Sequence, residues 1–410
     1  MRILLLSILL LPLSLFAQFT ESFNEDIRTM RMELNGKWDV PVIAQLGSND
    51  KILFSFDEMS HNYNRYTYKI THCNADWTHS ELFVSEYLDG FNTQTIEDVR
   101  YSENTTQLYT NYRFTIPNGN ISLKKSGNYK VEIYSDDSDS PIALFGFAVV
   151  EHKVRIGVEV SGNTDIDFNG SHQQLGIIID HTGYDVHMPT EELKVYVRQN
   201  NRRDNIAKCG RPTYISANRV EYSHAKELIF KAGNEYRKFE ITDPYSPSIG
   251  VGEIEYSDDI FNVWLYADKC TRSYRNERDE NGRFYTNTLE GYGNDIEADY
   301  ALVHFSLYTP YSEGGSYYLL GDSWNNSFGE SNRLYYDSEE GAYLTSQLMK
   351  FGVYNYQYVW LPDGAENAYT SPAESNFYNT ENEYLVQVYH RAFGERYDRL
   401  VGALRVNYKN

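Results

Sequence analysis

The chain has 410 residues, 37 Lys and Arg against 58 Asp and Glu, and a formal net charge of -21. A surface this acidic repels nucleic acid and anionic lipid headgroups, which both need a positive field, so nucleic-acid function is disfavoured. The length exceeds what one hydrophobic core organises, so two or three domains are expected.

The N-terminus carries Arg2 and then an apolar run from Ile3 to Phe16, broken only by Ser7, Pro12 and Ser14. The run is shorter than the roughly 20 residues of a membrane span and turns polar at once after Gln18, the pattern of a secretory signal peptide over 1–17 with cleavage after Ala17. The cysteine that a lipoprotein signal requires is absent, because the first cysteine is Cys73. The sequence therefore predicts an exported protein with no direct membrane span.

With 37 Tyr, 20 Phe and only 6 Met, composition favours strands. Most tyrosines are expected to pair across sandwich strands, and exposed ones suit recognition. From Ser22 to Glu33 the pattern is weak and charged, read as a lead-in. Strand-like runs follow at 51–56, 66–71, 108–116, 129–135 and 143–150, with turn signals at Pro117-Asn118-Gly119-Asn120 and Ser126-Gly127-Asn128. A second unit is expected to open after the charged centre Glu151-His152-Lys153, with strands at 154–160, 174–179, 193–198, 227–231, 236–241 and 261–267. Arg272 to Asp295 reads as long loops or a protruding hairpin. A third unit then carries runs at 300–308, 316–320, 333–336, 343–349, 354–361, 383–389 and 399–406. The expected fold is all-β: tandem immunoglobulin-like sandwiches with long loops, at 18–151, 152–295 and 296–410.

Tyr66 to Phe91 combines a strand (Tyr66, Tyr68 and Ile70 on one face), a turn, and a Thr78-x-x-Glu81 capping pattern that predicts one or two helical turns over 80–88. His72, Asp76 and His79 are the metal-ligand types in it, but the turn separates them, and a hydrogen-bonded turn is the plainer reading. Asp165-Ile166-Asp167-Phe168-Asn169-Gly170 matches the first half of a calcium loop; the acidic twelfth position is Gly176, so an Asx-rich turn is preferred. Cys209 and Cys270 fall in one expected domain, where spacing leaves their pairing open. No nucleophile elbow, zincin motif or phosphate-binding glycine loop occurs, so no catalytic, cofactor or metal residue is assigned. Gly321-Asp322-Ser323-Trp324-Asn325-Asn326, with the later Tyr354-Asn355-Tyr356-Gln357-Tyr358, resembles starch-binding sandwich modules. Trp324 and Asn325 are its glycan candidates, against packing of the same aromatics inside.

HCNADWTHSEL (72–82), EYLDGF (86–91), SENTTQLYTNYRF (102–114), SGNYKVEIY (126–134), AGNEYRKFEI (232–241) and IEADYALVHFSL (296–307) together resemble the plug protein family of the Bacteroidota type IX secretion system. That resemblance implies a non-catalytic periplasmic protein that docks on the outer-membrane translocon barrel and seals its pore. It brings no catalytic, cofactor or metal residues. Trp77, His79 and Glu81, with Arg272 to Asn287, are the loops expected to touch the barrel. A carbohydrate-binding or cell-surface accessory protein using Trp324 is the competing expectation.

Overall fold

The computed structural model describes residues 20–288, 291–292, 295–370 and 372–409; the expected signal peptide lies outside them. The chain forms three β-sandwiches. In the first, Tyr66–Cys73, Gly127–Ser135 and Ala143–Val150 make the centre of one sheet, with Ile43–Gln45 added in parallel. Ile27–Leu34, Ile52–Glu58, Thr110–Ile116 and Asp98–Tyr101 make the other. Period-2 alternation sends Tyr68, Ile70, Phe54, Phe114 and Phe145 inward, where their rings stack or meet edge-on.

Ile27–Leu34 is a full edge strand where the sequence suggested a lead-in. A bulge between Arg28 and Arg31, with Thr29 at φ +47, puts the buried residues Ile27 and Met30 three positions apart and hides the alternation.

The other two sandwiches do not divide at 295/296 as expected. One sheet of the second unit is ordered Ile206–Lys208, Leu193–Gln199, Glu383–His390, Arg399–Asn407, so the C-terminal hairpin returns to it. The third sandwich is an insertion in the second, built on Gly352–Pro362 in one sheet and Tyr300–Tyr308 with Ala342–Lys350 in the other. Chain order suggested that 383–407 belonged with its sequence neighbours. Pairing of Leu193 with His390 is non-local, and nothing in the strands' own pattern announces it.

Arg272 to Arg283 is a loop, one of the two forms expected, with Arg272, Ser273 and Asn276 to Arg278 exposed. Tyr274 donates to Glu235 at 2.7 Å, and Phe284–Thr288 is a strand against Gly352–Pro362. The helical turn is Val84–Tyr87, with the Phe83 N–H donating to Glu86 at 2.9 Å; Thr78 instead donates to Asp76 at 2.6 Å. All three cysteines are free, Cys73 and Cys209 buried.

Each junction between sandwiches holds a buried carboxylate. Between the first and third, Asp57 accepts from Lys350 Nζ and from the Tyr300 hydroxyl, both at 2.7 Å, while Lys350 lies 4.1 Å above the Tyr109 ring. Between the first and second, Asp398 accepts from Lys194 at 2.8 Å and from the Ala75 N–H at 3.0 Å. Between the second and third, Glu383 accepts from Arg283 at 2.8 Å and pairs with Arg405 at 2.5 Å.

Lys350→Met is expected to destabilise the chain by about 3–5 kcal/mol in urea unfolding, because it leaves Asp57 charged and dry; adding Asp57→Leu is expected to restore part of that loss.

Candidate functional site

A cleft of about 760 Å³ lies where the three sandwiches meet. Met30, Trp38 and Phe147 come to it from the first sandwich, Tyr196, Arg198 and Lys208 from the second, Phe284 and Asn325 from the third. Beside it the first two units meet through a small apolar cluster, Ala75, Ala148, Val150, Tyr389 and Leu400.

Trp77 also lines the cleft. Its N–H donates to the Asn74 carbonyl at 2.9 Å to close a turn, which places it at φ +64. A bulky side chain in the left-handed region costs roughly 1–3 kcal/mol, a strain that the surroundings must over-determine and that recurs at ligand sites. The same turn is pinned by Asp398 through Ala75, so the second sandwich fixes where the Trp77 ring sits.

The predicted contacts therefore separate. Trp77 and Asn325 share the cleft. His79 and Glu81 are exposed on the loop leading to a projecting tip. There Arg396 pairs with Glu86, donates to the Glu81 carbonyl at 3.1 Å and lies 5.9 Å over the Phe83 ring. Phe83 is 73% exposed, and Phe393, in the Ala392 to Glu395 turn, is 96% exposed. Sequence reasoning missed both phenylalanines; the Phe393-Gly394 pair, with Gly394 at φ +86, was the available turn signal.

Trp324 is 8% exposed and meets Phe305 edge-on at 5.9 Å, with its Nε1–H donating to Gln347 at 3.4 Å. Its ring is core, not a sugar platform. His72, Asp76 and His79 do not converge. His72 is buried, accepting from the Ser80 hydroxyl at 2.9 Å and donating Nε2–H to the Ser126 carbonyl at 3.0 Å. Gly127 has no room for a side chain: at φ +137, a Cβ would lie 2.6 Å from His72 Nε2. In the calcium-like loop, Asp167 accepts from Ser171 and pairs with His172 at 2.8 Å, while Asp165 pairs with His224 at 2.8 Å. Among the described residues no three His, Cys, Asp or Glu side chains converge as metal ligands.

Residues 27–151, which coincide with the first sandwich, match the family model described as Type 9 secretion system plug protein 1st domain. The chain belongs to the type 9 secretion system plug family. It is also similar to a crystallised hypothetical protein from Parabacteroides merdae, 39% identical, covering 95% of this chain and 100% of that one with a TM-score of 0.93. That relative shares all three sandwiches of this plug-family chain. The C-terminal domains of AspA from Streptococcus pyogenes (7% identity, 92% and 99% covered, TM-score 0.15) and BspA from Streptococcus agalactiae (8%, 93% and 100%, 0.14) superpose too poorly to inform the fold. No curated protein matches the chain.

Two outcomes are expected. Burial pushes the His72 imidazole down to about 4 from 6.5, although its bond to Ser126 and nearby Asp398 act the other way. A depressed folded value means the unfolded chain binds the proton first. The His72 contribution is thus complete above about 6.5 and lost as pH falls toward 4, on the order of 3 kcal/mol; His72→Gln should flatten that slope in unfolding measured across the window. Trp324→Ala should lower global stability by about 3–5 kcal/mol, the mark of a core ring, in thermal or urea unfolding.

Proposed function

We propose that this chain is a non-catalytic periplasmic plug, exported by its N-terminal signal, that docks on the periplasmic end of the outer-membrane translocon barrel of type IX secretion and seals the pore. The match of the first sandwich to the plug-protein domain carries this reading. The architecture suits it physically: buried ion pairs tie the third sandwich to the first and to the second, and the Ala75 N–H bond to Asp398 ties the first to the second, a body that keeps its shape against a pore.

The docking element is the tip. Phe83 and Phe393 are exposed on two different sandwiches whose loops meet where Arg396 donates to the Glu81 carbonyl, and of the charges there Arg396 pairs with Glu86 and Arg399 with Glu395. Exposed aromatic rings among paired charges can enter a barrel mouth at low desolvation cost. The glycan alternative loses its platform with Trp324 buried.

Affinity isolation of the tagged chain from gently solubilised membranes should bring the barrel with it, and Phe83→Glu with Phe393→Glu should lower recovery at least about tenfold, the loss of one strong contact. Absence of the barrel from the isolate would sink the plug reading. So would unchanged outer-membrane permeability to a large antibiotic after deletion in cells that retain the translocon.

A further inference from the structure

The strand Ile206–Lys208 is the edge of its sheet and pairs only with Leu193–Gln199. Its ladder fixes which backbone groups are used. The Cys209 N–H donates to the Val195 carbonyl and the Gln199 N–H to the Asn205 carbonyl, so the bonded pairs fall at odd positions of this strand. Ala207 therefore turns its N–H and C=O inward to the sheet, while those of Ile206 and Lys208 point outward along a free edge. Among the described residues neither has a backbone partner there.

The side chains follow the same alternation. Ala207 is buried in the second sandwich, whereas Ile206 and Lys208 lie on the face of Arg198 and Tyr196, their register partners, and line the cleft. Lys208 has no carboxylate partner among the described residues; its Nζ lies 5.9 Å above the Tyr196 ring. Arg203 lines the same wall, and burial holds its guanidinium down to about 10 although Glu21 lies 3.5 Å away. Of the acidic groups in the wall, Asp204 is already held by Arg202 at 2.7 Å and Asp322 by Asn201 at 3.0 Å; Glu366 is exposed. The cleft thus presents Lys208, without a carboxylate partner among the described residues, beside an open strand edge.

We propose that the cleft binds an extended peptide segment carrying alternate carboxylate side chains, added as a strand to the Ile206–Lys208 edge. Main-chain bonds to an edge supply affinity that is indifferent to sequence, and every second side chain of the guest faces the wall, where Lys208 selects for negative charge. The half-buried rings of Trp38 and Trp77 receive the stem of the guest. A cavity of this size matches sites that hold a short segment rather than a folded domain. This site is separate from the tip.

The purified full chain is to be titrated with fluorescein-labelled Ac-(Glu-Val)3 peptide and, in parallel, with the Lys-Val counterpart, reading polarisation of the label. With unlabelled peptides, Trp emission reports the occupancy of the cleft. Saturable binding of the Glu-Val peptide alone is expected, falling at least tenfold with Lys208→Glu and tenfold with Ile206→Pro, which removes an outward N–H. It should weaken as salt is raised. Far-UV circular dichroism checks the fold of both variants, and if Ile206→Pro does not fold, Lys208→Glu decides. No binding of the Glu-Val peptide, equal binding of the two peptides, or affinity unaltered by Lys208→Glu overturns the proposal. Each of these results leaves the barrel isolation untouched, since that experiment reads a different surface.

Discussion

Asp57, Asp398 and Glu383 are charged groups withdrawn from water at the three places where one sandwich meets another. A buried ion pair adds little net stability compared with a well-packed apolar contact, but breaking it is expensive. Its effect is therefore on geometry. A sandwich docked a few ångströms out of place would strand Asp57 without Lys350, Asp398 without the Ala75 N–H or Glu383 without Arg283, so one arrangement is selected. The cleft, the strained Trp77 turn and the tip all depend on that arrangement, since each is assembled from more than one sandwich.

The tyrosine content has the same origin. The largest fully buried side chains are tyrosines, and several use their hydroxyls to reach polar partners inside. Tyr300 reaches Asp57, Tyr356 and Tyr358 reach Asp268, and Tyr389 reaches Asn128 across the junction of the first two sandwiches. A leucine core would fill the volume without specifying these partners. Aromatic packing supplies the apolar burial while the hydroxyls tie the sheets to the polar junctions.

Much of the fold was legible because alternation is a local property. Tyr300–Tyr308 and Ala143–Val150 have the bounds that their patterns suggested. Ile27–Leu34 was not legible, because its bulge breaks the period on which recognition rests. The membership of 383–407 was not legible either, since an antiparallel partner is chosen by topology rather than by residues in the strand. At the sites the division is similar. Trp77 stood out as a large ring in a turn of small polar residues, and the structure gives it a cleft to line. Trp324 stood out equally, and burial removes it. Lys208 carried no signal, because its meaning comes from being opposite Tyr196 on an unpaired edge.

If the junction carboxylates bind the three sandwiches into one body, the chain should open as a whole. Native-state hydrogen exchange followed by mass spectrometry at increasing denaturant reads this directly. The amides of Gly127–Ser135, Leu193–Gln199 and Gly352–Pro362, one strand from each sandwich, should converge on the same global opening free energy and the same denaturant dependence. Exchange of one sandwich through a separate opening, several kcal/mol below the others, would contradict a body locked at its junctions.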